Sequence, residues 1–216
     1  MTLFGKHWTG WSAGGRLLLF ASISVGLCGP ALLRAADKTT FQARPAAEYA
    51  HKQTSENVTI AAEQFITDDQ AKDAFGKVNP WRLGVLPVLV VIQNNGTTAL
   101  RVDRATFKYV LPDRTRVEAT PAGELRFIKG VKQPTTGPSM PKIPMVSKNG
   151  KNPLAEWEIE GRSFSAKIIP PGQSASGFVY FQVPNSSEAS LLYISGLVNA
   201  NSGSELYYFE IPLSGK

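Results

Sequence analysis

From Asn57 onward, short apolar runs alternate with turn residues about every ten positions, the spacing of an all-β sandwich or barrel. Val58 to Glu63 (VTIAAE) reads as the first strand. TDDQAKDAFG follows as a short helix, capped by Thr67, with Asp68 and Asp69 complementing its positive end and Gly76 supplying a left-handed exit. The most apolar segment of the domain is LGVLPVLVVIQ. Val85, Leu89 and Val91 fall on one face of this strand, and Leu86, Val88, Val90 and Ile92 on the other, so both faces must be covered. Pro87 cannot donate to a ladder and predicts a bulge or a lapse in pairing.

Asn94-Asn95-Gly96 is a turn, after which ALRVD leads to ATFKYVL and TRVEA, a hairpin over Pro112-Asp113-Arg114. Phe107, Tyr109 and Leu111 alternate with Lys108 as in a half-buried antiparallel strand. LAEWEIE reads as one or two helical turns anchored by Trp157. SFSAKII, a Pro170-Pro171-Gly172 turn, SGFVYFQVP, LLYISGL and ELYYFEIPL complete the set, with Tyr207, Phe209, Ile211 and Leu213 sharing one face of the last. The pattern predicts a mostly-β, antiparallel β-sandwich over residues 57–216, with about eight strands and one or two short helices.

Before this domain, residues 1–36 hold Lys6, Arg16 and Arg34 and no acid, and Leu17 to Leu27 run apolar and uncharged. That is the layout of a secretory signal peptide, with cleavage expected after Ala35 or Ala36. A retained membrane anchor stays open because apolar character resumes at Ala31 to Leu33, although Gly29 and Pro30 interrupt it. Cys28 sits where a lipoprotein carries its lipid, but Leu27 before it is larger than usual there. Residues 37–56 are polar, lack hydrophobic period and read as a flexible tether. The formal charge of +6 shrinks once the leader is set aside: taking Lys6, Arg16 and Arg34 from 23 basic residues leaves 20 against 17 acidic, or +3. Nucleic acid is not an expected partner at that charge.

The segment 130–153 is Pro-rich, with Pro134, Pro138, Pro141, Pro144 and Pro153, and has no period. Long loops of this kind are commonly functional or disordered. Between Glu124 and Glu156 there is no acid, while Arg126, Lys129, Lys132, Lys142, Lys148 and Lys151 are basic. These residues are the candidate contact for an anionic partner, with Met140, Ile143 and Met145 adding adaptable apolar surface. Solvation of a mobile loop explains the same lysines. Tyr180, Tyr193 and Tyr208 are a candidate aromatic surface for sugar, although sandwich cores use the same residues.

Catalytic chemistry is poorly provided for. Beyond the leader the chain has His51 and no Cys, which leaves nothing for Ser-His or Cys-His nucleophilic catalysis or a zinc site. No phosphate-binding glycine motif or dinucleotide fingerprint occurs. Glu156, Glu158 and Glu160 would align on one face of a strand, the arrangement a glycosidase pair needs, or would simply solvate that face while Trp157 and Ile159 pack inward. Asp68, Asp69 and Asp73 lack the spacing of a calcium loop.

NNGTTALRVDRATFKYVLPDRTR, followed by IIPPGQSASGFVYFQVP, resembles the immunoglobulin-like, telokin-like sandwich modules of exported bacterial proteins. The resemblance covers roughly residues 85–184. ELYYFEIPL and NPLAEWEIEGRSFSAKIIPPG also resemble a set of uncharacterised exported bacterial proteins. The resemblance implies an immunoglobulin-like fold and no activity.

The expectation is therefore a non-catalytic binding or structural module without cofactor or metal, exported to the periplasm or cell surface. Its partner would be another envelope protein or an anionic envelope polymer. It would touch membrane only through the leader, if that is retained or lipidated at Cys28. A carbohydrate-binding module is the alternative, and a carboxylate-dependent glycosidase a further one.

Overall fold

Apolar residues at alternate positions can be buried only by a second layer, and the strand with two apolar faces requires two. The computed structural model describes residues 41–128, 152–155, 157–183 and 190–213. It contains β1 (Lys52–Ser55), β2 (Val58–Gln64), α1 (Asp68–Phe75), β3 (Leu86–Asn94), β4 (Leu100–Arg101), β5 (Thr106–Val110) and β6 (Arg116–Glu118). These are followed by α2 (Trp157–Gly161), β7 (Ile168–Ile169), β8 (Ser174–Phe181), β9 (Leu191–Ser195), β10 (Val198–Asn199) and β11 (Phe209–Pro212). The protein is a mostly-β, antiparallel sandwich. A four-stranded sheet ordered β1-β2-β3-β8 faces another ordered β11-β9-β5-β6, with a small three-stranded sheet β10-β4-β7 beside them.

The division of β3 read from its sequence holds residue by residue. Leu86, Val88, Val90 and Ile92 pack with Tyr109, Leu192, Ile194, Phe209 and Ile211 of the second sheet. Val85, Leu89 and Val91 join Phe178 and Tyr180 of β8 on the other face, under Ala71, Ala74 and Phe75 of α1 and Ile159 of α2. The chain thus covers its own second face with a helical layer. Phe178 is the centre of that layer: its ring lies 4.8 Å from Phe65, 4.7 Å from Phe75 and 5.5 Å from Phe41. Fully burying an aliphatic or phenyl side chain contributes roughly 1.5–3 kcal/mol, and β3 is buried in this way on both of its faces.

Local chemistry fixes the elements in place. Thr67 accepts from the Gln70 amide and the Gln70 side chain accepts from the Thr67 amide, a capping box at the start of α1. Asn94 is buried and pins its turn: Nδ2 donates to Thr98 O at 2.8 Å and Ile169 O at 3.0 Å, while Oδ1 accepts from Gly96 N at 3.0 Å. In the sandwich core Tyr109 Oη donates to Ser190 Oγ at 2.7 Å, and Gln64 Nε2 donates to Ser190 Oγ and Leu213 O. Gly177 lets the backbone at Ser163 and Phe164 lie against β8; a Cβ there would fall 2.5 Å from Phe164 Cα.

Four expectations change. Pro87 does not interrupt β3: it pairs with Tyr180, and its carbonyl accepts from Phe65 N at 2.9 Å. N–H and C=O of one strand residue point to the same side, so the donor that proline lacks faces the end of β2, whose ladder stops at Gln64–Val88. Residues 41–56, expected in a flexible tether, belong to the fold. Ala46 and Tyr49 are buried, and β1 pairs with β2 from Lys52–Ala61 to Ser55–Val58. β1 has no apolar period because it is an edge strand; Gln53 and Glu56 instead accept from the backbone of Glu210 and Tyr207 next to β11. Tyr207 is 78% exposed and does not share the buried face of Phe209, Ile211 and Leu213, since β11 begins only at Phe209. Trp157, expected as an inward anchor, is 69% exposed, and Ile159 is the α2 residue that packs inward.

Phe178→Ala is expected to lower the unfolding free energy by about 4 kcal/mol, the scale of a buried phenyl truncation, in urea denaturation. A loss under about 1 kcal/mol would show that this ring does not hold the helical layer.

Candidate functional site

Of the basic residues nominated by the sequence, Lys129, Lys132, Lys142, Lys148 and Lys151 lie outside the described residues. Arg126 is described and is already engaged: Nη2 meets Glu160 Oε2 at 2.9 Å and Nε donates to Gly123 O at 2.8 Å. The sequence gap in acids is therefore bridged in space by α2. Asn152 closes the base of the loop, its Nδ2 donating to Arg126 O at 2.6 Å and Ile128 O at 3.3 Å.

The three candidate tyrosines separate. Tyr180 is only 1% exposed, within the helical layer, and its Oη donates to Ile159 O at 2.6 Å, so it is not a surface residue. Its position on β8 gives it the face toward α2, which is fully roofed. Burial pushes its phenol well above the usual tyrosine range, with the charge of Arg162 acting in the opposite direction. Tyr193 and Tyr208 do come together on the outer face of the second sheet, stacked with ring centroids 5.4 Å apart. Arg116 from β6 approaches the Tyr193 ring at 5.1 Å, from the side of the sheet opposite to β11. Tyr193 thus has both a tyrosine ring and a guanidinium against it, while Tyr208 is itself 53% exposed.

The carboxylates also separate. Glu156 lies outside the described residues, and α2 is a helix, where positions two apart diverge by about 200°. Glu158 and Glu160 thus do not form a facing pair, and Glu160 is committed to Arg126. Asp68 is held by Asn79 at 2.8 Å and by Arg82. Among the described residues no three His, Cys, Asp or Glu side chains converge as a metal site.

Sequence reasoning missed a groove of about 430 Å3 at the rim of the helical layer. Leu89 and Phe178 form its apolar floor, Phe41 and Trp157 stand at its sides, and Ser174, Ser176, Gln42 and Arg162 supply its polar groups. The rim falls here because the helix-side face of β8 changes character, from Ser174 and Ser176, which are exposed, to Phe178 and Tyr180, which are buried. Gly161 sits under Trp157; a Cβ on it would lie 3.5 Å from the indole. Arg162 is half-buried, with its Cζ 5.7 Å from the centre of the Phe41 ring and Nη1 donating to Phe41 O at 3.4 Å. Its Nε is buried and makes no hydrogen bond, and no carboxylate pairs with it among the described residues. A partly desolvated cation without a counter-charge is costly, and such groups mark sites where a ligand supplies the partner. Two other cavities of similar size hold arginines that are paired, although Lys72 and Lys77 also line the first of them. In one, of about 450 Å3, Arg82 is bound to Asp68; in the other, of about 440 Å3, Arg44 pairs with Glu63 at 3.7 Å.

No protein-family model matches the chain, and no curated protein matches it in sequence. Among solved structures it is similar to the yjhA protein from Bacillus subtilis, at 9% identity and a TM-score of 0.35 over 75% of this chain and 96% of that one. It is also similar to MPT63, a secreted protein from Mycobacterium tuberculosis, at 11% identity and a TM-score of 0.31 over 74% of this chain and 89% of that one. An uncharacterised β-sandwich protein from Clostridium difficile matches at 10% identity and a TM-score of 0.28, over 75% and 90% of the two chains.

The raised pKa of Tyr180 makes a signed prediction. Its contribution to stability is complete below the ordinary tyrosine value of about 10 and is lost as pH rises above it, because the unfolded chain then releases the proton more readily. Unfolding free energy measured in urea should fall above about pH 10, and Tyr180→Phe should flatten that fall while costing about 1 kcal/mol at neutral pH. Equal slopes in the two proteins would contradict it.

Proposed function

We propose that this chain is a non-catalytic binding module that acts outside the cytoplasm and takes its ligand in the groove between Trp157 and Phe41. Export rests on the leader pattern of residues 1–36, and a retained or Cys28-lipidated leader would tether the same module to membrane. The resemblance to immunoglobulin-like exported modules is supported by the connections, since the chain passes between the two main sheets from β3 to β5, from β6 to β8 and from β8 to β9.

The observation that carries the binding site is the pairing of an exposed indole with a half-buried guanidinium that has no carboxylate partner among the described residues, on a frame of packed strands. Large aromatic and arginine side chains are the usual anchors of binding sites. Among the described residues the lining has serine hydroxyls but no carboxylate, histidine or cysteine to act as base or nucleophile, which supports binding over turnover. One argument for a protein partner weakens at the same time, because the second apolar face of β3 is covered by the chain itself.

Docking of a partner protein is the second reading, favoured by Phe127, which is 77% exposed. The two readings separate by mutation. In calorimetric titrations of the protein with a panel of oligosaccharides and small organic acids, Trp157→Ala should weaken binding by about tenfold or more and Phe127→Ala by less than about twofold. Equal losses from both variants, or no response to any panel member, would contradict the groove as the site.

A further inference from the structure

We propose that the ligand of the groove is an acidic saccharide, a hexuronate whose pyranose ring lies on Trp157 and whose carboxylate pairs with Arg162. The inference rests on the groove being the binding site and adds its chemical class.

Charge complementarity carries the first half. Arg162 presents a planar guanidinium, the side chain best matched to a carboxylate, in a place where burial of its Nε has removed water and no acid among the described residues replaces it. Among the described residues the one acceptor for a guanidinium nitrogen of Arg162 is Phe41 O at 3.4 Å, long for an N–H···O contact. An arriving carboxylate therefore gains a charge-assisted pair without breaking a strong one. Apart from Arg162, the described residues that line the groove are uncharged. The chemistry asks for one negative charge per ligand unit.

Shape carries the second half. Trp157 is 69% exposed although it belongs to α2, and glycine at position 161 leaves the indole free to lie over the helix backbone. An exposed flat indole beside hydroxyls is suited to a ring with one C–H face and a polar rim. Ser174 and Ser176 lie two residues apart on the same side of β8, about 7 Å along the strand, the scale of one six-membered sugar ring. The Gln42 amide offers both a donor and an acceptor on the same groove. A volume of about 430 Å3 accommodates one or two such rings.

The test is calorimetric titration of the full protein with trigalacturonate, its methyl ester, a neutral trisaccharide and triglutamate at fixed ionic strength. Trigalacturonate should bind about tenfold or more tightly than its ester and the neutral sugar, because the ester keeps the ring and removes the charge. Trp157→Ala should weaken the acid and the ester alike, and Arg162→Gln should abolish the difference between them. The ester comparison needs no variant, so it stands even if Arg162→Gln disturbs folding. Equal binding of acid and ester would overturn the role given to Arg162, and triglutamate binding as tightly as trigalacturonate would overturn the saccharide assignment. If none of the four probes binds, while other ligands still titrate Trp157, the hexuronate proposal fails and the groove stands.

Discussion

A strand that is apolar on both faces cannot sit at the surface of a sandwich, and the rest of this fold follows from that constraint on β3. Its inward residues, Leu86, Val88, Val90 and Ile92, make an ordinary two-sheet core with Tyr109, Leu192 and Phe209. Its outward residues, Leu89 and Val91, need a third layer, which α1, α2 and the N-terminal segment around Ala46 and Tyr49 provide. The aromatic cluster around Phe178 joins these pieces across long sequence separations, so segments with little apolar period of their own become part of the fold.

The same layer creates the candidate site by ending. Where it stops, the outer face of the first sheet turns polar along a row of paired residues, Thr54 with Thr59, Thr59 with Gln93 and Gln93 with Ser174. At that boundary apolar floor, exposed indole and half-buried guanidinium meet. The outer face of the second sheet has a different character. There Glu210, Tyr193, Lys108 and Glu118 lie in cross-strand register, and Lys108 and Glu118 pair at 3.1 Å. Surfaces whose groups are mutually satisfied offer a ligand less than one with an unpaired cation.

Much of the fold was legible because two-residue alternation and turn chemistry are local. The strand at residues 86–94, the capped helix from Thr67 to Gly76 and the Asn94 turn needed only neighbours in sequence. What was not legible depends on partners brought from afar. Arg126 appeared free because Glu160, thirty-four positions away, is invisible to a count of nearby charge. Tyr180 and Tyr208 look alike in sequence, yet one lies beneath α2 and the other at an open edge. Phe41 was discounted with a polar stretch, and Trp157 was turned inward by an alternation that a five-residue helix does not have. The one local clue to the groove was the change from Ser174 and Ser176 to Phe178 and Tyr180 along one face of β8.

The central claim is that this chain covers both faces of β3 by itself, so that its binding surface is the rim of the helical layer rather than an uncovered sheet. Amide hydrogen exchange of the purified protein at two widely separated concentrations tests it most directly. The account predicts that the amides of Val88 to Ile92 are among the slowest to exchange and that their protection is the same at both concentrations. Fast exchange in this strand, or protection that appears only at the higher concentration, would contradict it.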